Sequence, residues 1–428
     1  MKNTFLELKE AVFKGAQKKN IQLTDTYLDR LNYELRIIKD NGFSDYFKLY
    51  SYIISICNEL NILRSYGRNT ALNSLVNYCL DITKLDPVEY SLIFERFILP
   101  SQQQQPDVDI DIPSGYLDLI ITNFKTKHPE YFVYYIALIP HYESNYVTIS
   151  YNGVVVKKHP CGVIFTRERI SKDTFNLNGY DYYFVNDTST DHFYKSKIDL
   201  VELDYLNKIQ QIVNIVGDDY HPYKLPLNDP QVFKSLTEHN LAHVFQISSE
   251  TVQDILSQFS PTSIQDLAFI KAMLHKDIAT YIPQIILHKE NIKLLPELSS
   301  STINNILHET YFMLVYQETF LNLCQLIAGM EYDEAEKYRK VLSRFNAAPE
   351  NIALFIDNFK EKAKSSKVLS EDEVEQILDK IISSHKSALP KGHIYSYTII
   401  SYWGAYYKTY FEDVFRNIFS DLLPNKNK

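Results

Sequence analysis

Asp107, Asp109 and Asp111 alternate with branched apolar residues in the octet Gln105-Pro106-Asp107-Val108-Asp109-Ile110-Asp111-Ile112. A β-strand sends successive side chains to opposite faces. The octet read as a strand therefore carries an acidic face and, behind it, an apolar face of Val108, Ile110 and Ile112. Like charges repel when buried, and desolvation adds to the cost. A cation must lie against such a face, and carboxylate oxygens suit Mg²⁺ or Mn²⁺. The same octet also fits an edge strand whose acidic face is wet.

A second chemical feature precedes the octet. Ser65-Tyr66-Gly67-Arg68-Asn69-Thr70 is a loop with a glycine and an arginine, running toward Ser74-Leu75. Asn69 or Thr70 can cap a helix there, whose free N–H groups favour an anion, and Arg68 adds a fork donor for phosphate oxygens. A capped helix with an exposed arginine is the plainer meaning. Lys157, Lys158 and His159 stand before an apolar run; they fit phosphate contacts or a solvated basic turn. Lys391 and His393 open a tyrosine-rich stretch (Tyr395, Tyr397, Tyr402) that fits base stacking or a helix with a buried aromatic face.

The elements that must position these residues follow from periodicity. Residues 4–20 read as a short helix with a basic end. Residues 24–40 read as a longer one, with Tyr27, Leu28, Leu31, Leu35 and Ile38 at helical spacing and Asn41-Gly42 as its stop. Tyr46 to Leu60 gives a third. Residues 86–99 read as a helix begun by Pro87 and ended by Pro100. Lys360 to Lys380, dense in charges of both signs, reads as a solvated helix pair, and Asn425 to Lys428 as a polar tail.

The chain has 428 residues, 45% of them hydrophobic, and only 11 glycines, which suits an ordered protein of two or three domains. The formal net charge of −9 gives no bulk sign of nucleic-acid binding, although a basic channel can sit on an acidic body. The four cysteines lack zinc-type spacing and fit reduced thiols. There is no signal-peptide core and no apolar run of membrane-spanning length. The expectation is a soluble cytoplasmic protein.

Several stretches together resemble the bacterial C-family replicative polymerases, the DNA polymerase III α subunits. Tyr33-Glu34-Leu35 through Gly42-Phe43 and Tyr46-Phe47 is similar to the helix that enters their palm. Gly67-Arg68-Asn69-Thr70 through Ser74-Leu75-Val76 resembles their phosphate loop and following helix. Asp86-Pro87 with Phe94-Glu95-Arg96-Phe97 resembles the next helix, and Pro106-Asp107-Val108-Asp109-Ile110-Asp111 the catalytic strand. The four occur in family order. Beyond them, Lys158-His159-Pro160-Cys161-Gly162-Val163-Ile164 resembles a further palm strand. Val201-Glu202-Leu203-Asp204-Tyr205-Leu206 resembles the strand that supplies the third catalytic aspartate. Val244-Phe245-Gln246, Ser263 to Leu274 and Tyr316-Gln317-Glu318 resemble the fingers.

The resemblance implies an α+β protein with a polymerase-β-like nucleotidyltransferase palm on a small mixed sheet and a mostly helical fingers domain. The expected division is an N-terminal helix at 1–25, a palm at 26–220 and fingers at 221–428. It implies a Mg²⁺- or Mn²⁺-dependent DNA polymerase adding dNTPs to a 3′ hydroxyl, with Asp107, Asp109 and Asp204 as catalytic metal ligands and Asp111 in support. Gly67, Arg68, Asn69, Thr70, Ser74, Lys158, His159 and Lys391 would bind nucleotide or phosphate. The partners implied are a DNA primer–template, dNTPs and a protein that holds the duplex. The chain starts almost at the palm, and the expected thumb, at about 112–150, is strongly reduced. Low processivity and no proofreading are expected. Glu202, where the family has lysine, is expected to bind metal, pair with Arg68 or Lys158, or point into water. His275-Lys276-Asp277-Ile278 replaces a fingers motif. Two other readings stay open: a polymerase-derived binding or scaffold protein, and an untemplated nucleotidyltransferase.

Overall fold

Alternating runs of the acidic region become strands, and the periodic runs before it become helices that pack together. A computed structural model of the protein describes residues 4–138, 147–151, 154–185, 193, 197–238, 240–274, 278–291, 295–343, 348–384 and 386–420. Residues 139–146 of the expected thumb region, His275-Lys276-Asp277 and the tail Asn425 to Lys428 lie outside the described residues. The chain forms two compact units, residues 1–89 with 100–211, and residues 90–99 with 212–428.

The first unit opens with three helices, α1 (Thr4–Lys18), α2 (Asp25–Asp40) and α3 (Ser44–Glu59). α2 ends at Asn41, and Gly42 takes a φ of +74°, a conformation that suits glycine. A short helix, α4 (Leu75–Cys79), follows the arginine loop. α1 packs on α3 and α4; a Cβ at Gly15 would stand 1.9 Å from the Cys79 carbonyl oxygen, so only glycine permits that approach.

The sheet follows: β1 (Asp109–Pro113), then helix α5 (Leu117–Lys127), then β2 (Phe132–Leu138), β3 (Val147–Tyr151), β4 (Val154–Thr166), β5 (Thr174–Leu177), β6 (Tyr180–Val185) and β7 (Lys197–Leu203). Helix α6 (Asp204–Val216) leaves the last strand. The seven strands are ordered β1-β7-β4-β2-β6-β5, with β3 beside β4. β1 lies parallel to β7, and β4 antiparallel to it, so the sheet is mixed. The region expected to hold a reduced thumb contains α5, β2 and β3.

Ile110 and Ile112 are buried, and burying such a side chain is worth roughly 1.5–3 kcal/mol. Asp111 is buried as well, at 1% exposure, so the acidic face is not simply a wet edge.

The second unit is helical among its described residues. The helix Lys391–Tyr410 is buried on nearly every side and holds Tyr395, Tyr402 and Trp403. The helix Ile264–Met273 packs against it. A separate apolar cluster joins the helices Ser301–His308, Gln317–Ala328, Tyr332–Leu342, Pro349–Ser366 and Glu371–Ser384. The last two form the expected charged pair, tied on the outside by Lys360–Glu375 and Lys364–Glu371 and buried inside through Phe355, Phe359, Val374 and Ile377.

Residues 86–99 depart from the expected helix. They form turns, with Ser91 at a φ of +52°, and a single 3-10 turn at Phe94–Arg96. Their buried apolar residues are adjacent (Leu92, Ile93, Phe94, then Phe97, Ile98) and do not form a helical stripe. Ile93 is drawn into the apolar cluster of the second unit, and buried Arg96 donates to Glu336 at 2.7 Å.

Candidate active site

The site grows from the parallel ladder between β1 and β7. Asp109 is the Cα partner of Asp199 there, and Gly162 of β4 is the partner of Asp199 on its other side. Asp107 lies just before β1. One carboxylate oxygen from each of Asp107, Asp109 and Asp199 falls within 4.8 Å of the others.

The segment carrying Asp107 is held from behind by α3. Tyr46 donates to the Pro106 carbonyl at 2.7 Å and Tyr50 to the Val108 carbonyl at 2.6 Å. Both phenols are buried, which pushes their pKa values upward and keeps them neutral donors. The backbone on either side of Asp107 is therefore fixed by side chains some sixty residues earlier in the sequence, as the separations of 60 and 58 residues record.

The arginine loop closes over the acids. Buried Arg64 anchors its entrance by donating to the Asp81 carbonyl, the Asp81 carboxylate and Asn58 Oδ1. Gly67 has a φ of +129°, and a Cβ there would lie 2.8 Å from Thr83 Cγ2. Arg68 then donates to Asp111 Oδ1 at 3.1 Å and places its Nε 3.5 Å from Asp109 Oδ2, while Asn69 Nδ2 donates to Asp109 Oδ2 at 2.7 Å. Lys197, on β7, ion-pairs with Asp199.

Burial pushes the Asp109 carboxyl up to about 7, with the charges of Asp107 and Asp199 adding to it and Arg68 and Lys197 opposing. Four carboxylates (Asp107, Asp109, Asp111, Asp199) face two cations here, so the cluster retains formal negative charge. Asp199 is 7% exposed, and its Oδ1 is buried without a hydrogen-bond partner. An all-oxygen donor set with an orphaned carboxylate oxygen fits a hard divalent cation.

Comparison with known proteins gives the frame. Residues 6–151 match the bacterial DNA polymerase III alpha NTPase domain, and residues 202–367 match the bacterial DNA polymerase III alpha subunit finger domain. The chain is 26% identical over 469 residues to the DNA polymerase III subunit alpha of Staphylococcus epidermidis (strain ATCC 12228 / FDA PCI 1200), covering 94% of this chain and 44% of that protein. It is 25% identical over 477 residues to the corresponding subunit of Staphylococcus aureus (strain COL), covering 96% and 44%. The chain belongs to the DNA polymerase III α family.

It thus spans less than half the length of these α-subunit relatives. Most of β4 and β7, with His159, Cys161 and Asp199, lies between the two stretches that match the DNA polymerase III α domains.

The site residues expected from the sequence divide sharply. Asp107, Asp109, Arg68 and Asn69 come together, with Gly67 shaping the loop and Thr70 half-buried beside it. Asp204 does not join them. It begins α6, five residues beyond Asp199 and so roughly 16 Å further along the extended chain, where it accepts from the Ser114 hydroxyl. It is Asp199 whose carboxylate oxygen converges with those of Asp107 and Asp109. Glu202 is exposed and accepts the Gly115 N–H at 2.6 Å. It thus caps the turn after β1 and does not face the acid cluster.

Ser74 is also engaged elsewhere. It is fully buried, N-caps α4 by accepting from Asn77 N, and donates to Glu34 Oε2 at 2.7 Å. Buried Glu34 also accepts the N–H groups of Leu75 and Val76 at 2.9 and 3.0 Å. The anion at this helix start is the protein's own carboxylate. Lys391 lies in the second unit, buried, with its Nζ 2.7 Å from Glu309 and near the rings of Tyr316 and Tyr395. An internal ion pair takes the place of the expected phosphate contact. Its neighbours Tyr395, Tyr397 and Tyr402 are buried, which favours the aromatic-core reading.

Lys158 is half-buried, with its Nζ 4.7 Å from the centre of the Tyr135 ring. His159 Nδ1 accepts the Gly162 N–H at 2.7 Å, and burial lowers its pKa. Asp199, Lys197 and Cys161 were not singled out from the sequence. The signal available was Lys197-Ile198-Asp199-Leu200-Val201, an alternating run with its one acid at the centre.

Proposed function

We propose that this chain is a DNA polymerase, transferring nucleotide from a dNTP to a 3′ hydroxyl on a polymerase-β-like palm. The reading is carried by one observation: Asp107, Asp109 and Asp199 converge across β1 and β7 directly beneath the Gly67–Asn69 loop. In this reading those three aspartates hold the metal, Mg²⁺ or Mn²⁺. When bound, such a metal would activate the attacking oxygen and neutralise the leaving pyrophosphate.

The remaining roles belong to the chain itself. Asp109, whose pKa is raised by burial and by the charges of Asp107 and Asp199, would be held ionised by a cation that offsets them. Asn69 orients the Asp109 carboxylate, and Tyr46 and Tyr50 fix the backbone that carries Asp107. Arg68, about a third exposed, carries a fork of donors that would hold triphosphate oxygens. Lys197, which pairs with Asp199, would hold phosphate charge beside the acids.

A second reading has its own support. Arg68 and Lys197 already contact Asp109, Asp111 and Asp199, as a polymerase-derived binding protein without chemistry would require. Primer extension with each dNTP, comparing the natural chain with Asp109→Asn, separates the two. Metal-dependent extension lost in the variant supports the polymerase. Metal-independent dNTP binding without extension in either protein supports the binding protein.

A further inference from the structure

β4 does not run straight past β7. Tyr135 pairs with Val163 and Ala137 with Lys158, so an advance of two residues on β2 meets an advance of five on β4. The excess is thrown into His159-Pro160-Cys161-Gly162, level with Asp199. Bulges re-aim side chains, and this one turns His159 and Cys161 toward Asp199. The imidazole folds back so that Nδ1 accepts from Gly162 N at 2.7 Å and lies 3.9 Å from Cys161 Sγ. A Cβ at residue 162 would stand 2.7 Å from that same nitrogen, so the arrangement needs glycine there.

The geometry points to a second cation site, formed by a His159 ring nitrogen, Cys161 Sγ and an Asp199 carboxylate oxygen, for a borderline divalent ion such as Zn²⁺. The three donor atoms lie within 4.8 Å of one another. Zn–S and Zn–N bonds of ordinary length at a tetrahedral angle put sulfur and nitrogen about 3.6 Å apart, so the observed separation needs only slight contraction. Asp199 is 7% exposed, and the Cys161 thiol hydrogen-bonds to its carboxylate, so a metal that displaces that proton finds both donors already together. His159 and Cys161 are half-buried, which leaves the cluster reachable and a fourth position open to water.

Thiolate and imidazole select a softer ion than the all-carboxylate cluster does. On binding, the Cys161 S–H bond breaks, its proton passes to solvent and a sulfur–metal bond forms; the metal keeps its charge. His159 gives up its contact with the Gly162 N–H if Nδ1 is the ligand. Because Asp199 belongs to both clusters, an ion held here competes with a hard ion held by Asp107 and Asp109. That competition rests on the function proposed above; the site itself does not.

Titration of the metal-free chain with Co²⁺, followed by absorption, tests the site. The expected result is a thiolate-to-cobalt charge-transfer band, reversed by Zn²⁺, lost in Cys161→Ser and diminished in His159→Gln. Asp109→Asn, which breaks only the all-carboxylate cluster, keeps the band. Failure of that variant to extend a primer leaves the band untouched, so the two proposals fail separately. Absence of a band in the natural chain, persistence in Cys161→Ser, or loss in Asp109→Asn would each overturn the assignment.

Discussion

Asp109 and Asp199 face one another across the parallel β1–β7 ladder, with Gly162 of β4 on the far side of Asp199. The register makes a clear distinction between two acids near the end of β7. Asp199→Asn removes a carboxylate from the convergent cluster. Loss of several kcal/mol of transition-state charge stabilisation lowers incorporation by roughly 10³-fold. Asp204→Asn removes only an exposed acceptor for Ser114 and leaves the rate within about twofold. Steady-state primer extension with both variants checks this; the reverse pattern would return the third acid to Asp204.

Arg68 links the loop to two acids, and its removal acts on both stability and binding. Arg68→Ala leaves Asp111 buried without this donor. Removing one partner of a buried pair costs about 3–5 kcal/mol, and the partial exposure of Arg68 reduces this to about 1–2 kcal/mol. Chemical denaturation without metal should show that loss. Arg68→Lys restores charge without the fork and recovers stability better than dNTP affinity. Equal KM values for dNTP in all three proteins would remove Arg68 from nucleotide binding.

Local pattern carried the helices and the acid octet, and long-range pairing decided the rest. α2 and α3 were legible because each buries one periodic stripe, and Asp107 and Asp109 because alternation within a strand is local. Asp199, the acid that converges with them, was not. Glu202 and Asp204 repeat the spacing of Asp107 and Asp109, whereas Asp199 is a single acid in its run, tied to the cluster by its ladder partner ninety residues earlier, the pairing of positions 109 and 199. Ser74 and Lys391 failed for a related reason: their partners, Glu34 and Glu309, are 40 and 82 residues away. The expected helix over 86–99 was lost to the demands of the second unit's core.

Glu34 therefore predicts a structural phenotype where the sequence suggested a phosphate site. Glu34→Gln keeps the shape but removes the charge that serves the Ser74 hydroxyl, the Leu75 and Val76 N–H groups and Arg30. Hydrogen bonds to a charged acceptor are worth about 1.5–3 kcal/mol, so a Tm drop accompanies the substitution. Ser74→Ala loses a cap worth about 1 kcal/mol. Both variants should keep their KM for dNTP once folded. A raised KM with unchanged Tm would show that Ser74 touches the nucleotide.

Lys271 predicts how the stability of the second unit responds to pH. Its amine is buried between helices and donates to the Tyr397 carbonyl at 2.8 Å and to Ser401 Oγ at 2.7 Å. Burial pushes its pKa down to about 7. In the unfolded chain the ordinary value is about 10.4. Between these values the unfolded state holds the proton and the folded state does not, so stability rises with pH across that interval and is insensitive to this group below it. Urea denaturation of the natural chain and Lys271→Met from about pH 6 to about pH 10 isolates the contribution. The natural chain should gain stability relative to the variant as pH rises through that window. Parallel curves would mean that Lys271 stays charged in the folded protein.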